Sequence, residues 1–266
     1  MDNLDLFKNP KEYKQSYVLG LVIGLILMMF LPSVAFMGIN GYIGVYDPEN
    51  YKYLLDPTSM IYSKIMNEGS FFIQAISYVL ISGIFIVIYY TILKEDLINF
   101  KKEWKKNLIV IVVGFIGMYL LNVLMEYLFT ALHLPTSSHN QDSIVSAVKG
   151  EVFIYVAFAV VILAPFVEEI VFRKMLFGAI ESNLNLPKIV VVIISTVIFS
   201  LIHLSNELEM VFTDINNFKY LVAFFLYAPL AFVLSFTYSY TKNNIYVAII
   251  IHALNNLLSL IFILIG

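Results

Sequence analysis

The stretch Pro165-Phe166-Val167-Glu168-Glu169-Ile170-Val171-Phe172-Arg173 sets two adjacent carboxylates and a guanidinium at the end of an otherwise apolar helix. A carboxylate left bare in hydrocarbon costs several kcal/mol, so both need partners and both invite a functional reading. Neighbours on a helix point in different directions, whereas residues four apart share a face. This predicts a division of labour. Arg173, the only arginine in the chain, neutralises Glu169 and leaves Glu168 to face whatever the other helices bring. Pro165 lacks the amide that would bond back to Val161, which loosens the helix one turn before Glu168 and lets water in. The competing reading is a plain structural ion pair at the membrane boundary.

Two further histidines fall in apolar segments, His203 and His252, and Asn256 lies one turn beyond the second. A lone histidine in an apolar helix is usually a satisfied core residue. Two of them with an asparagine and an unpaired glutamate have the makings of a hydrolytic site. A shielded glutamate can take a proton from water, a histidine can relay it to a leaving amine, and an imidazole with a carboxamide can hold a developing oxyanion. Helical spacing puts Asn256 on the face of His252 and Asn255 off to one side.

These groups have to be carried by membrane helices. With 60% apolar residues, 13% charged residues and a mean hydropathy of +0.85, the 266 residues cannot form a water-soluble domain. The fold class is all-α, a polytopic bundle of about seven spans at Tyr17–Ile39, Phe71–Leu93, Leu108–Leu132, Glu151–Arg173, Ile189–Leu204, Tyr220–Tyr240 and Ile245–Ile265. A formal charge of −3 argues against a nucleic-acid partner, and the absence of cysteine removes thiol chemistry and disulfides. The N-terminus does not read as a cleavable signal, so the first span is retained.

Orientation follows from the basic residues. With the N-terminus inside, the cytoplasmic set is Lys8, Lys11, Lys14, Lys94, Lys101, Lys102, Lys105, Lys106, Arg173, Lys174, Lys188 and Lys242. Only Lys52, Lys64, Lys149 and Lys219 fall outside. Twelve against four is a strong positive-inside bias, and the C-terminus then lies outside.

Between spans, the loop Asn40 to Ser70 carries Tyr42, Tyr46, Pro48, Tyr51, Tyr53 and Pro57, which suit a headgroup cap, with a substrate-gating lid as the alternative reading. The basic stretch Lys94 to Lys106, with Trp104, reads as a hairpin against anionic lipid, and Lys174 to Pro187 as a short amphipathic or partly helical cytoplasmic connection. His133 and His139 fall in a polar outer loop and read as solvated. Asn122 and Glu126 share one face of the third span, where a structural role is the simpler reading. No internal repeat is visible. The Ile-, Lys-, Asn- and Tyr-rich composition suggests a bacterial plasma-membrane protein.

Three motifs in order resemble the family of CAAX-processing and bacteriocin-processing intramembrane proteases: Glu-Glu-x-x-x-Arg at Glu168, Glu169 and Arg173, Phe-x-x-x-His at Phe199 and His203, and His-x-x-x-Asn at His252 and Asn256. The resemblance covers about Glu151 to Ile265, which divides the chain into N-terminal spans and loops (1–150) and a catalytic helical core (151–266). It implies that Glu168 activates water, that His203 assists proton transfer, and that His252 and Asn256 stabilise the oxyanion. Glu169 and Arg173 would support the site. Asn140-Gln141 resembles family context more weakly. The implied substrate is a peptide or a membrane-tethered protein segment, as in bacteriocin or signalling-peptide processing or self-immunity.

Other intramembrane protease types lack their residues here. There is no Gly-x-Ser-Gly and no His-Glu-x-x-His, and all seven aspartates lie outside the predicted spans. Glu168, His203 and His252 could also form the two-histidine, one-carboxylate set of a catalytic zinc. The same three groups suffice without a metal, and metal-free catalysis with no cofactor is the favoured expectation. Two rivals remain, a non-catalytic family member acting as a scaffold and a proton-coupled transporter using the same groups as a relay.

One feature of the spacing opposes a common site. Counted from the nearest inner basic residues at about 1.5 Å per residue, Glu168 lies about 8 Å deep, His252 about 15 Å and His203 about 22 Å. Convergence requires the fifth span to start below the membrane plane, to tilt, or to line a deep cavity.

Overall fold

A computed structural model describes residues 4–7, 9–46, 49, 52, 60–150 and 153–265. Lys8, Pro48, Tyr51, Tyr53, Pro57 and Glu151, which figure in the sequence reading, lie outside the described residues. Every described element is helical: α1 (Tyr13–Tyr46), α2 (Met60–Ile88), α3 (Tyr90–Lys102), α4 (Trp104–Ala131), α5 (His139–Val148), α6 (Phe153–Asn183), α7 (Lys188–Ile202), α8 (Ser205–Thr213), α9 (Phe224–Tyr240) and α10 (Ile245–Ile265). Six helices among the described residues are long and apolar enough to cross a membrane. The count becomes seven if α7 and α8, bent by 66°, form one broken span.

The bundle is organised around α6. Every residue from Glu169 to Ala179 is buried, the mark of a helix enclosed on all sides. α1 packs against its second half, α2 and α10 against its first, and α7 along α9. Close approach of α1 depends on small residues. A Cβ on Gly20 would stand 2.5 Å from Met175 Sδ, and one on Gly24 2.7 Å from Val171 Cγ2. On the far side Gly114 of α4 meets Ile251 and Thr237, seating α4 on α9 and α10.

Several predicted boundaries move. The loop assigned to Asn40–Ser70 is largely helical, since α1 continues to Tyr46 and α2 begins at Met60. The second span does not run unbroken to Leu93. The helix breaks at Tyr89, and the N-terminal segment covers the break: Leu6 N donates to Ile88 O at 2.8 Å, and Asp5 accepts from Thr91 N at 2.9 Å and Thr91 Oγ1 at 2.6 Å. The fourth span does not end at Arg173 but at Asn183, so the connection predicted over Lys174–Pro187 shrinks to the few residues after Asn183.

Arg173 and Lys174 are therefore interior groups rather than boundary charges, 0% and 4% exposed. Lys174 Nζ donates to Asp96 Oδ2 at 2.6 Å and to Asn243 O at 3.1 Å. The same Asp96 oxygen accepts from Ile245 N at 3.1 Å, and Asn244 Nδ2 donates to Asp96 O at 2.8 Å. Lys242 and Asn243 take left-handed backbone, φ 60° and 62°, which turns the chain tightly from α9 into α10. Asp96 thus ties the start of α10 to the middle of α6.

Candidate active site

Sequence and local backbone chemistry prepare the Glu-Glu turn. The segments Ala159–Leu163 and Ile170–Phe177 are π-helical and flank the α-helical turn Ala164–Glu169. Pro165 accounts for the first. Ala164 N donates to Ala159 O, and Pro165 has no N–H, so the amides that would serve Val160 O are engaged or missing. Asn256 Nδ2 takes that place, donating to Val160 O at 2.8 Å. One of the two N–H groups of Asn256 is thus spent on the backbone of α6.

Glu169 and Arg173 meet as the spacing predicts. Arg173 Nε stands 3.2 Å from Glu169 Oε2, and both side chains are fully buried. The other carboxylate oxygen, Glu169 Oε1, takes His252 Nδ1 at 2.9 Å. The Arg173 guanidinium lies over the Phe199 ring at 4.3 Å, and His203 stacks on the same ring at 4.3 Å. Phe199 is thus a shared contact of the buried cation and the imidazole. His203 Nδ1 lies 2.9 Å from Phe199 O.

With their Nδ1 atoms held by a carboxylate and a backbone carbonyl, both imidazoles turn Nε2 toward Glu168. His203 Nε2 is 3.7 Å and His252 Nε2 4.0 Å from Glu168 Oε2. Glu168, His203, His252 and Asn256 all line one cavity of about 410 Å³.

The depth conflict is resolved by where the helices begin. Because α6 continues to Asn183, Glu168 lies about fifteen residues, or about 22 Å, from that end, the same interval that separates His203 from the start of α7. His252 reaches the same level because Asp96 pins Ile245 beside Lys174. From that junction Glu168 and His252 each lie about 10 Å along their helices.

The cavity wall also holds residues that the sequence reading placed elsewhere or passed over. Asn122, Glu126 and Asn255 line it, as do Asn140 and Gln141. His133 is exposed and is not among the residues lining this cavity. Gln74, Tyr78, Ser138 and Tyr227 were not singled out, although Gln74 inside an apolar span is the kind of polar residue that marks a pathway. The Tyr227 ring lies 5.0 Å from that of His203, and its hydroxyl hydrogen-bonds Ser138 Oγ at 2.5 Å. Ser138 also accepts from Gln141 N at 3.2 Å as the cap of α5. That contact joins the α4–α5 loop to the histidine wall.

A zinc ion would have to be held by Glu168, His203 and His252, with ligand atoms about 2.0–2.2 Å from the metal. Among the described residues no three His, Asp or Glu side chains are grouped to hold a metal ion.

Comparison with known proteins agrees with the motifs. Residues 149–258 match the family model described as Type II CAAX prenyl endopeptidase Rce1-like. An uncharacterised protein of Mycoplasma capricolum subsp. capricolum is 27% identical over 267 aligned positions, covering 97% of this chain and 70% of its own length. The membrane-embedded CAAX protease MroQ of Staphylococcus aureus is 31% identical over 168 positions, 60% of each chain. The putative membrane peptidase YdiL of Bacillus subtilis is 26% identical over 185 positions, 69% of this chain and 68% of its own. No solved structure matches the chain.

Proposed function

We propose that the chain belongs to the family of CAAX-processing and bacteriocin-processing membrane proteases, to which its residues 149–258 and its MroQ and YdiL relatives are similar, and that it hydrolyses a peptide bond inside the bilayer, with Glu168 activating water. The observation that carries this reading is the facing of Glu168 by two imidazoles whose far nitrogens are each fixed at 2.9 Å. Glu168 takes a proton as the water oxygen bonds to the scissile carbonyl carbon. The carbonyl oxygen becomes an oxyanion, held by His252 and by the N–H of Asn256 not engaged with Val160. The carbon–nitrogen bond then breaks as the proton passes to the leaving amine, with His203 as its carrier. Glu169 and Arg173 hold their positions: Glu169 orients His252, and Arg173 offsets the Glu169 charge in a dry setting.

The substrate class is a peptide or membrane-tethered segment drawn into the cavity, with bacteriocin or signalling-peptide maturation, or self-immunity, as the biological setting. The terminal segment, the α3–α4 junction and the α9–α10 turn gather at one end of the bundle through the Asp5–Thr91, Lys242–Glu103 and Asn243–Glu181 contacts. The basic bias of these segments supports a cytoplasmic location for that end, in a bacterial plasma membrane.

Cleavage of a reporter peptide library by the purified chain, beside Glu168→Gln and with chelator in parallel, tests the proposal. Cleavage that disappears in Glu168→Gln and survives chelator is expected. Full cleavage by Glu168→Gln would overturn it, and loss on chelation would replace it with a zinc site on Glu168, His203 and His252.

A further inference from the structure

We infer that Asn122 and Asn255 are positioning residues for the hydrolytic site, an inference that rests on the proteolytic reading above. A carboxamide has two ends of similar shape and opposite hydrogen-bonding character, so its orientation must be set by its neighbours. The Val160 carbonyl can only accept, and it has no backbone donor of its own. The atom that Asn256 presents to it is therefore Nδ2, at 2.8 Å. That choice turns Asn256 Oδ1 the other way, where Asn255 Nδ2 donates to it at 3.2 Å. Asn255 Oδ1 is then the end left for α4, and Asn122 Nδ2 donates to it at 3.4 Å.

One orphaned carbonyl at the π turn thus orients three carboxamides in series, and all three line the cavity with Glu168 and His252. The far end of the series is a donor from α4, outside the matched segment 149–258. Asn122 is what prevents Asn255 from rotating its amide away from Asn256. Once Asn255 turns, Asn256 loses the acceptor contact that holds its second N–H toward the reacting centre. The N-terminal half of the bundle in this way sets the aim of a group in the C-terminal half.

The test uses the full-length chain in detergent and the library peptide that the wild type cleaves fastest. Asn122→Asp keeps the shape and replaces the donor with an acceptor facing Asn255 Oδ1. It is expected to lower kcat about tenfold, a fraction of the loss on removing an oxyanion donor outright, and to leave KM within about twofold. Asn122→Gln, which keeps a donor, restores most of the rate. Asn122→Asp combined with Asn255→Ala is no slower than Asn255→Ala alone, because the two act through one path. Wild-type kcat in Asn122→Asp, or a change confined to KM, would overturn the inference while leaving the proteolytic reading intact. Undiminished cleavage by Glu168→Gln would instead overturn the reading of the site itself.

Discussion

Glu168 and Lys174 stand less than two turns apart on α6, and their surroundings are opposites. Lys174 is paired by the protein, with Asp96 Oδ2 at 2.6 Å and Asn243 O at 3.1 Å, and it does not line the cavity that holds Glu168. Glu168 has its nearest basic atoms at 3.7 and 4.0 Å, beyond direct hydrogen-bond reach, on the wall of a 410 Å³ cavity. A charge that the fold pairs directly acts as a fastener. A charge held near its partners but short of them leaves room for water and a substrate carbonyl between.

The sharpest way to break this comparison is to neutralise each charge in turn. Glu168→Gln is expected to reduce peptide cleavage by about 10²–10⁴-fold, the range for a lost general base, with little change in melting temperature. Comparable activity in the two proteins would erase the distinction. At the other end Asp96→Ala strands Lys174 in the interior and is expected to cost about 3–5 kcal/mol of stability. Thermal unfolding in detergent would register it, while the rate per folded molecule stays near wild type.

A smaller effect separates packing from charge. Gly24→Leu on α1 pushes a side chain into Val171 of α6, between Glu168 and Lys174. Overpacking there is expected to destabilise by about 1–3 kcal/mol without changing the pH dependence of cleavage. Unfolding midpoints and pH–rate profiles would together show this.

The smallest effect lies at the surface, where Lys242 Nζ donates to Glu103 Oε1 at 2.6 Å. That hydrogen bond, with the charge of Lys242, holds the Glu103 carboxyl below its ordinary range. A depressed folded-state value contributes stability above the unfolded value, and the contribution is lost as pH falls through the folded one. The melting-point difference between wild type and Lys242→Met should therefore be small at neutral pH, shrink with salt and vanish in acid. Unlike the loss of Asp96, it would leave the bundle intact.

Much of this arrangement can be read from residue types. The apolar runs dictate a helical membrane bundle, because backbone polar groups in hydrocarbon must be paired within the segment. The i to i+4 spacing of Glu169 and Arg173 dictates their pairing, and Pro165 dictates a disturbed turn before Glu168. Residue types also nominated Glu168, His203, His252 and Asn256. They could not show that Lys174 is interior, since a lysine after an apolar run reads as a boundary whether or not a distant aspartate meets it. That misplacement set Glu168 at about 8 Å rather than about 22 Å, and the level of His252 depended on the same unseen aspartate.

Helical periodicity and hydropathy, both local properties, were thus determined by the sequence alone. Only the tertiary structure decided the common level of the site. It is set by Asp96, far away in the chain, bringing Lys174 of α6 and the first amide of α10 to one carboxylate oxygen. The enlistment of Asn122 was decided the same way, by α4 packing against α10. Contacts between residues so distant along the chain follow from how helices pack, which no local pattern encodes.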